Sequence, residues 1–259
     1  MIATKEKLWI KEWHGLDRLF NAWTDSGAMK SSEWRHEINM FKWIMSQVKT
    51  NKVTFIELGA GWGEWCLAAT GLVRYRKINT QVKEVYCIAV EAEPTHCQWI
   101  KETFRRNNIH GEFIEAVVSD KVDIKNFFIA KNPSKEYGQK ELPFYKAIGA
   151  KLSGIGSYKR VTSITVDDIT KNYQNIFIHC DIQGNEVKMI EGSFNALIAN
   201  KIDWMMIGIH NENYNSKIAQ MLSPYMTLEF DYLPRNKYII KGTEVEFQDG
   251  LQIYRRRNY

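Results

Sequence analysis

The sequence lacks any apolar run close to the ~20 residues that a transmembrane helix requires. Its first residues, Met1–Lys7, also lack the apolar core of a secretory signal peptide. The four cysteines are scattered and form no Cys-x-x-Cys pair, which argues against a disulfide framework or a zinc site. We therefore expect a cytoplasmic protein with reduced thiols and no membrane anchor.

A strong charge of either sign is absent as well. The formal net charge is +5, and the densest basic cluster is Arg255–Arg257; such a run is usually solvated, so it indicates nucleic-acid binding only weakly. The content of 44% hydrophobic and 25% charged residues is typical of a globular protein. The length of 259 residues is near the upper limit for one hydrophobic core. We predict an N-terminal helical cover, 1–50, and one domain, 51–259.

What the sequence does contain is a short β-rich run, Val53–Leu58, that stops at three glycines spaced two apart. These are Gly59, Gly61 and Gly63, and a helical pattern follows them. A strand, a glycine turn and a helix in this order let the backbone approach a nucleotide-like ligand closely. The alternative that these residues leave open is a tight turn without a ligand.

Acidic residues flank this turn. Glu57 precedes the first glycine by two positions and Glu64 follows the third, so the turn would repel a pyrophosphate and favour a ligand with cationic groups. S-adenosylmethionine carries an ammonium and a sulfonium group and no phosphate. The pattern therefore predicts an S-adenosylmethionine site that includes Glu57, Gly59, Gly61 and Gly63.

A second apolar run, Val85–Val90, supports the ligand-binding interpretation because it ends in Glu91. In nucleotide-binding βαβ units an acidic residue at the end of the second strand binds the ribose hydroxyls. We assign that role to Glu91, with Glu93 as the second candidate. The alternative is a solvated glutamate at a strand end.

The remaining pattern predicts an α/β protein with a mostly parallel sheet. Five runs resemble core strands, and two later runs resemble an antiparallel edge pair: 53–58, 85–90, 112–118, 176–181 and 204–210, followed by 226–233 and 250–254. In such sheets the ligand lies across the carboxyl ends of the strands. Val118 and Ser119, at the end of the third strand, are therefore predicted to contact the adenine.

Two segments are candidates for substrate contact. The N-terminal cover holds Trp34, Arg35 and His36, and residues 121–160 contain tyrosines and glycines without a clear period. A long patternless segment inside a compact domain is usually functional or mobile. We interpret it as a substrate-facing insertion, followed by an added strand over 161–168. Plain packing of the cover and a surface loop are the alternatives.

The fourth and fifth predicted strands end in Asp181 and His210, with Glu212 just beyond. Methyl transfer to an alcohol requires alignment of the acceptor and removal of its proton. His210 is a candidate base because imidazole titrates near neutral pH, and Asp181 is predicted to accept the proton or orient the acceptor, with Glu212 beside it. A divalent ion held by Asp181 and Glu212 is a further alternative, but their spacing matches no metal signature, so a metal ion is not indicated. Glu186 is interpreted as a first-turn helix acid.

These residues resemble a known family. Asp181–Glu186 (DIQGNE), followed by Ile190–Gly192, is similar to the signature of the FkbM-type S-adenosylmethionine-dependent methyltransferases, and Ile164–Asp168 resembles a segment that precedes it. The resemblance spans about residues 53–212. It implies a Rossmann-like core with a seven-stranded sheet, S-adenosylmethionine as cofactor and, in many members, a hydroxyl of a sugar or natural product as acceptor.

The chain departs from that pattern at three positions. Gln183 stands where the family usually has Glu, Asn185 stands where an aromatic residue is common, and Gly208 takes the place of a Glu on the fifth strand. The last departure affects the acceptor side, where Glu212 is the candidate substitute.

The predicted function is thus methyl transfer from S-adenosylmethionine to a hydroxyl of a small or glycosidic acceptor. Three alternatives stay open on the residues: N-methylation of a peptide or amide side chain, methylation or binding of nucleic acid, and a cofactor-binding domain without catalysis. The sequence leaves oligomerisation open.

Overall fold

The computed structural model describes residues 32–130 and 156–257, whose centre is a seven-stranded β-sheet. The strands in chain order are β1 Lys52–Leu58, β2 Glu84–Glu91, β3 Gly111–Glu115, β4 Val117–Val118, β5 Ile124–Ala130, β6 Gly156–Ile164, β7 Ile176–Cys180, β8 Ile202–Ile209, β9 Met226–Tyr232, β10 Lys237–Ile240, β11 Thr243–Glu246 and β12 Gly250–Arg256. The helices are α1 Ser32–Gln47, α2 Glu64–Arg74, α3 Pro94–Asn107, α4 Val166–Thr170, α5 Glu186–Glu191, α6 Phe194–Ile198 and α7 Glu212–Leu222.

The order of strands in the large sheet is β3-β2-β1-β7-β8-β12-β9. Neighbouring strands from β3 to β8 run parallel, and β12 runs antiparallel to both β8 and β9. The predicted α/β class, the mostly parallel sheet and the antiparallel edge pair are confirmed. Because β1, β7 and β8 are buried on both faces, they consist of nearly continuous apolar residues, as buried parallel strands do.

Helix α1 packs on one face of this sheet. Phe41 is fully buried, and its ring centroid lies 5.4 Å from that of Phe55 on β1 and 5.3 Å from that of Phe177 on β7. The predicted helical periodicity is therefore present over Ser32–Gln47. The part of the predicted cover before residue 32 lies outside the described residues. The division of the chain into a helical cover, 1–50, and a domain, 51–259, stays a prediction. None of the helices in the described ranges is long and apolar enough to cross a membrane.

Local signals in the sequence set the start of α3. Glu93 is its N-cap and accepts a hydrogen bond from the backbone N–H of His96 at 2.7 Å, while Pro94 occupies the first turn. Proline is well suited to that position because its missing N–H would be unsatisfied there in any case. The second predicted ribose candidate, Glu93, therefore has a capping role.

The predicted insertion begins and ends in regular structure. Strands β5 and β6 pair antiparallel, and β6 also pairs with β4 in a small three-stranded sheet. The predicted added strand over 161–168 is wrong at its end, because β6 stops at Ile164 and the Thr165 side chain caps helix α4. Residues 131–155, which include Tyr137 and Tyr145, lie outside the described part.

A close approach of two strand ends defines the centre of the fold. Gly59 follows β1 with φ +76°, and a Cβ at this position would lie 1.9 Å from the carbonyl oxygen of Asp181, which follows β7. The backbone N–H of Asp181 in turn donates to the carbonyl of Leu58 at 2.9 Å. A side chain at residue 59 would force these strand ends apart.

We expect Gly59→Ala to lower the free energy of unfolding by at least about 1 kcal/mol more than Gly242→Ala does. Gly242 is the matched control because its φ is +80° and a Cβ there has no atom within 4 Å. It therefore reports only the backbone cost of the left-handed region, about 1–2 kcal/mol. Chemical denaturation of both variants measures the difference, and equal losses would show that the contact with Asp181 is not limiting.

Candidate functional site

A cavity of about 870 Å³ lies at the carboxyl ends of β1, β2, β4, β7 and β8. Its wall includes most of the residues that the sequence predicts for the site: Gly59, Gly61, Glu91, Val118, Asp181, His210 and Glu212. Residues as far apart in the chain as Gly59 and Glu212 meet here because parallel strands end at the same edge of the sheet. Among the predicted residues, Glu57, Gly63 and Ser119 are not part of this wall.

The glycine turn presents its backbone to the cavity. Gly59 and Gly61 line it with φ angles of +76° and +54°, whereas Gly63, with φ +82°, is the N-cap of α2. The turn is fixed from the next strand, since the Gly61 N–H donates to Oε2 of Glu91 at 2.8 Å. Side chains disfavour these angles, so glycine is required by backbone conformation as well as by space.

Glu57 supports the turn from behind. Its two carboxylate oxygens accept hydrogen bonds from the backbone N–H groups of Trp65 at 3.1 Å and Cys66 at 2.8 Å, in the first turn of α2. The side chain is buried, and that burial raises the pKa of Glu57 against the lowering effect of these bonds. Glu57 thus satisfies N–H groups at the N-terminus of α2 and does not line the cavity. Its ligand contact stays a prediction.

Glu91 faces the cavity and holds its wall together. Besides Gly61, its carboxylate accepts from the backbone N–H groups of Ala92 at 2.7 Å and Glu93 at 2.8 Å. Burial raises the pKa of Glu91, while the nearby His96 and these N–H groups oppose the rise. Strand β4 contributes Val118, whose carbonyl oxygen accepts a hydrogen bond from the Asn185 side chain at 3.1 Å.

Ser119 lies behind that wall. Its hydroxyl is buried and donates to Oδ1 of Asp120 at 2.9 Å. Ser119 does not line the cavity whereas Val118 does, because adjacent residues of an extended chain point to opposite sides. Their contact with an adenine stays a prediction.

The other side of the cavity holds a chain of charged groups. His210 Nε2 lies 3.0 Å from Oδ1 of Asp181, and Nδ1 lies 2.7 Å from Oε1 of Glu186. The same Glu186 oxygen accepts from the backbone N–H of Gly184 at 2.9 Å, and the Gln183 side chain contacts both Asp181 and His210. Two residues of the turn after β7, Gln183 and Gly184, have positive φ angles that bring the turn back towards this group.

These contacts change the expected role of His210. Burial favours the neutral ring, but the hydrogen bonds and charges of Asp181 and Glu186 outweigh it and raise the pKa of His210 to about 10. A pKa raised in this way favours the protonated imidazole at neutral pH, and a protonated ring cannot accept a proton. The base role of His210 stays a prediction, and in this arrangement the ring lies between Asp181 and Glu186, where it orients Asp181.

Asp181 and Glu212 differ in setting. Asp181 is half-exposed at the cavity, and although partial burial opposes its ionisation, the hydrogen bond and charge of His210 keep its pKa below the usual value. Glu212 begins α7 at the rim, with its side chain 67% exposed, and pairs with Arg235 at 3.1 Å. Solvent screens such a pair, so Glu212 is a peripheral member of the site.

Sequence reasoning missed the importance of Glu186. It does occupy a first helical turn, as predicted, but it is fully buried and its Oε2 has no hydrogen-bond partner in the described structure. A buried carboxylate needs compensation, which the His210 charge provides. The sequence signal that could have identified Glu186 is its position five residues after Asp181. There the turn brings the chain back to the end of the strand.

A second, smaller cavity of about 190 Å³ adjoins the first and shares Asp181, His210 and Asp249 with it. Helix α1 contributes Glu33, Trp34 and Glu37, and the sheet contributes His179 and Gly208 among others. The predicted contact residue Trp34 thus lines a cavity, whereas His36 is buried against the rings of Tyr232 and Phe247, and Arg35 is exposed. Within the described ranges, no group of three or more His, Cys, Asp or Glu residues is arranged to hold a metal ion.

The topology and the site together define the class of fold. The sheet places two parallel units on either side of β1, and β12 is inserted antiparallel between β8 and β9. The cavity lies beside the point where the strand order reverses, which is where open α/β sheets bind their ligands. The chain has the Rossmann-like α/β fold of the class I methyltransferases.

Comparison with known proteins found similarities in sequence and in structure. A protein of Jannaschia sp. (strain CCS1) with the name "Putative methyltransferase" is 23% identical over 230 residues, which cover 86% of this chain and 80% of that protein. A precorrin-6y C5,15-methyltransferase from Geobacter metallireducens GS-15 is 11% identical, with a TM-score of 0.45 and coverage of 89% and 92% of the two chains. An rRNA methylase from Streptococcus thermophilus is 10% identical, with a TM-score of 0.45 and coverage of 85% and 96%. No protein-family profile matches the chain.

The charged state of His210 makes a prediction about pH. Because its pKa is raised to about 10 in the folded chain from 6.5, its contribution to stability is complete below pH 6.5 and is lost as the pH rises through 10. We expect the free energy of unfolding of the wild type, relative to His210→Gln, to fall by up to about 1.4 kcal/mol per pH unit in this window.

Urea denaturation at several pH values measures this difference, and NMR titration of the His210 ring provides a direct check. A ring that titrates near pH 6.5 would contradict the assignment and restore His210 as a candidate base.

Proposed function

We propose that this chain is an S-adenosylmethionine-dependent methyltransferase. The observation that carries the proposal is the charge of the large cavity: Glu91, Glu93 and Asp181 line it beside a glycine turn. Arg235, the one arginine or lysine in its described wall, is paired with Glu212. This setting opposes a pyrophosphate and suits a nucleoside with cationic groups. The name of the Jannaschia relative supports the same activity.

The residues of the wall fit the parts of such a cofactor. Gly59 and Gly61 leave room for close approach of the ligand to the backbone. A carboxylate has about four acceptor positions, and three backbone N–H groups occupy Glu91, so one position remains for a ribose hydroxyl. Val118 provides an apolar contact for the adenine, and Asp181 lies where the cationic part would bind.

When bound, S-adenosylmethionine supplies a methyl group that its sulfonium activates for transfer. The chain then has to align the acceptor, and Asp181 is suited to this because it belongs to both cavities. His210, held by Glu186, fixes one oxygen of Asp181 and keeps the carboxylate ionised. An ionised Asp181 accepts the hydrogen bond of an acceptor hydroxyl, orients its oxygen for attack and takes up the proton that this oxygen loses.

We propose a hydroxyl of a sugar or natural product as the acceptor, in line with the FkbM-type resemblance, which itself stays a prediction. N-methylation of a peptide or amide is the second candidate, since the same carboxylate can orient an N–H group.

The nucleic-acid alternative has less support. Arg255 pairs with Glu229 at 2.6 Å, and Arg256 pairs with Asp203 at 3.2 Å, so this cluster is engaged within the fold. The carboxylates around the second cavity also oppose phosphate groups.

Calorimetric titration with S-adenosylhomocysteine, the demethylated product, tests the proposal. We expect saturable binding at one site and about tenfold weaker binding to Glu91→Gln, because one acceptor becomes a donor at a charge-assisted contact. Glu84→Gln is the matched control, since Glu84 lies at the opposite end of the same strand and pairs with Lys52 on the surface.

Thermal melts of both variants separate loss of binding from loss of folding. Absence of binding of S-adenosylhomocysteine and S-adenosylmethionine to the folded wild type would overturn the proposed function, and equal affinity of the two variants would remove Glu91 from the ribose site.

A further inference from the structure

We infer that the second cavity binds a small organic cation, a protonated amine of the methyl acceptor, between the carboxylates of Glu33, Glu37, Asp181 and Asp249 and the rings of Trp34 and Trp65. The inference rests on the proposed function for the identity of the occupant, but the cavity and its charge are independent of it.

The wall of the second cavity is rich in acidic side chains. Four carboxylates line a space of about 190 Å³, while no lysine or arginine does so in the described part of the chain. The one fixed positive group is His210, which is already held by Asp181 and Glu186. An acceptor with a positive group would relieve this excess of negative charge.

Burial and this excess of negative charge act together on Glu37. Burial, followed by repulsion from Glu33, Asp181, Asp249 and Glu64, raises the pKa of Glu37 to about 8. Like charges held together disfavour ionisation in this way. An ammonium group at the cavity would reverse the effect, because an opposite charge favours the ionised form.

The same wall contains a histidine with a buried ring nitrogen that has no hydrogen-bond partner among the described residues. His179 is 6% exposed and belongs to the wall of this cavity, and its Nδ1 has no hydrogen-bond partner among the described residues. Burial lowers the pKa of His179 to about 4, so the ring is neutral. A neutral imidazole has one nitrogen that accepts a hydrogen bond, and buried polar groups are rarely left unpaired. A ligand group that forms a hydrogen bond with Nδ1 would satisfy it, and an ammonium N–H does so when Nδ1 is the accepting nitrogen.

Two indole rings, those of Trp34 and Trp65, also line the second cavity. Trp65 stacks on the His179 ring with centroids 4.2 Å apart, and Trp34 lies 5.5 Å from Trp65. Tryptophan faces attract organic cations more strongly than the faces of other aromatic side chains do. Carboxylates together with indole rings favour an organic ammonium group over a neutral hydroxyl or a phosphate.

The position of the cavity relates this cation to the reaction. Asp181, His210 and Asp249 form the wall shared with the large cavity, so an amine bound here lies next to the place where Asp181 would orient the reacting group. Gly208 leaves this part of the wall open, since a Cβ there would only make ordinary contacts at 3.5 Å and beyond. The inferred acceptor class is a small molecule with an amine close to its methylated atom.

A matched pair of probes tests the inference on the full chain saturated with S-adenosylhomocysteine. Ethanolamine and ethylene glycol have the same number of heavy atoms but differ by an ammonium in place of a hydroxyl. NMR signals of the Trp34 and Trp65 indole N–H groups, at constant ionic strength, report binding. We expect ethanolamine to bind at least about tenfold more tightly than ethylene glycol, as for a charge-assisted contact.

Carboxylate variants locate the site. We expect Glu37→Gln and Asp249→Asn each to weaken ethanolamine binding several-fold, whereas Glu244→Gln, which changes the net charge equally on the surface hairpin, leaves it unchanged. Asp249 is 57% exposed, so its variant decides the outcome if Glu37→Gln fails to fold.

Equal affinity for the two probes, or weakening by Glu244→Gln to the same extent, would overturn the inference. Displacement of ethanolamine by Mg²⁺ with the same indole shifts would overturn it in favour of a metal site. If ethanolamine binds as expected but S-adenosylhomocysteine does not bind at all, the cation site stands and the proposed function fails.

Discussion

The contact between Gly59 and the backbone of Asp181 sets the distance on which the rest of the site depends. With no side chain at residue 59, the end of β1 approaches the end of β7 so closely that an added Cβ would lie 1.9 Å from a carbonyl oxygen. The glycine turn and Asp181 thereby share one cavity. A wider spacing would separate the wall that is proposed to bind a nucleoside from the carboxylate that is proposed to orient the acceptor.

Electrostatics then assign different roles to the carboxylates that meet at this edge. Glu57 and Glu91 are used mainly by backbone N–H groups, so they shape the turn from two sides. Asp181 and Glu186 instead share one imidazolium, His210. Because that ring is held in its charged form, the site has a fixed Asp181 and a permanent positive charge behind it, rather than a histidine that exchanges protons.

In the proposed function, the large cavity binds the methyl donor and the small cavity binds part of the methyl acceptor. The large one combines a glycine turn with carboxylates and an apolar wall, whereas the small one combines carboxylates with indole rings and a neutral, buried His179. Helix α1 closes the second cavity with Trp34 and Glu37. An N-terminal element that packs on the core through Phe41 thus also contributes to the acceptor side.

The sequence by itself determined the elements and their order, because hydrophobic period, glycine spacing and strand-end acids are local properties of the chain. It predicted the parallel sheet, the antiparallel edge pair and most of the cavity wall. Tertiary structure alone decided which way each side chain faces and what charge it carries: Glu57 turned to a helix end, Glu186 became buried, and His210 became an imidazolium between two carboxylates. Those outcomes depend on desolvation and on partners far apart in the chain, and neither quantity is encoded by spacing along the sequence.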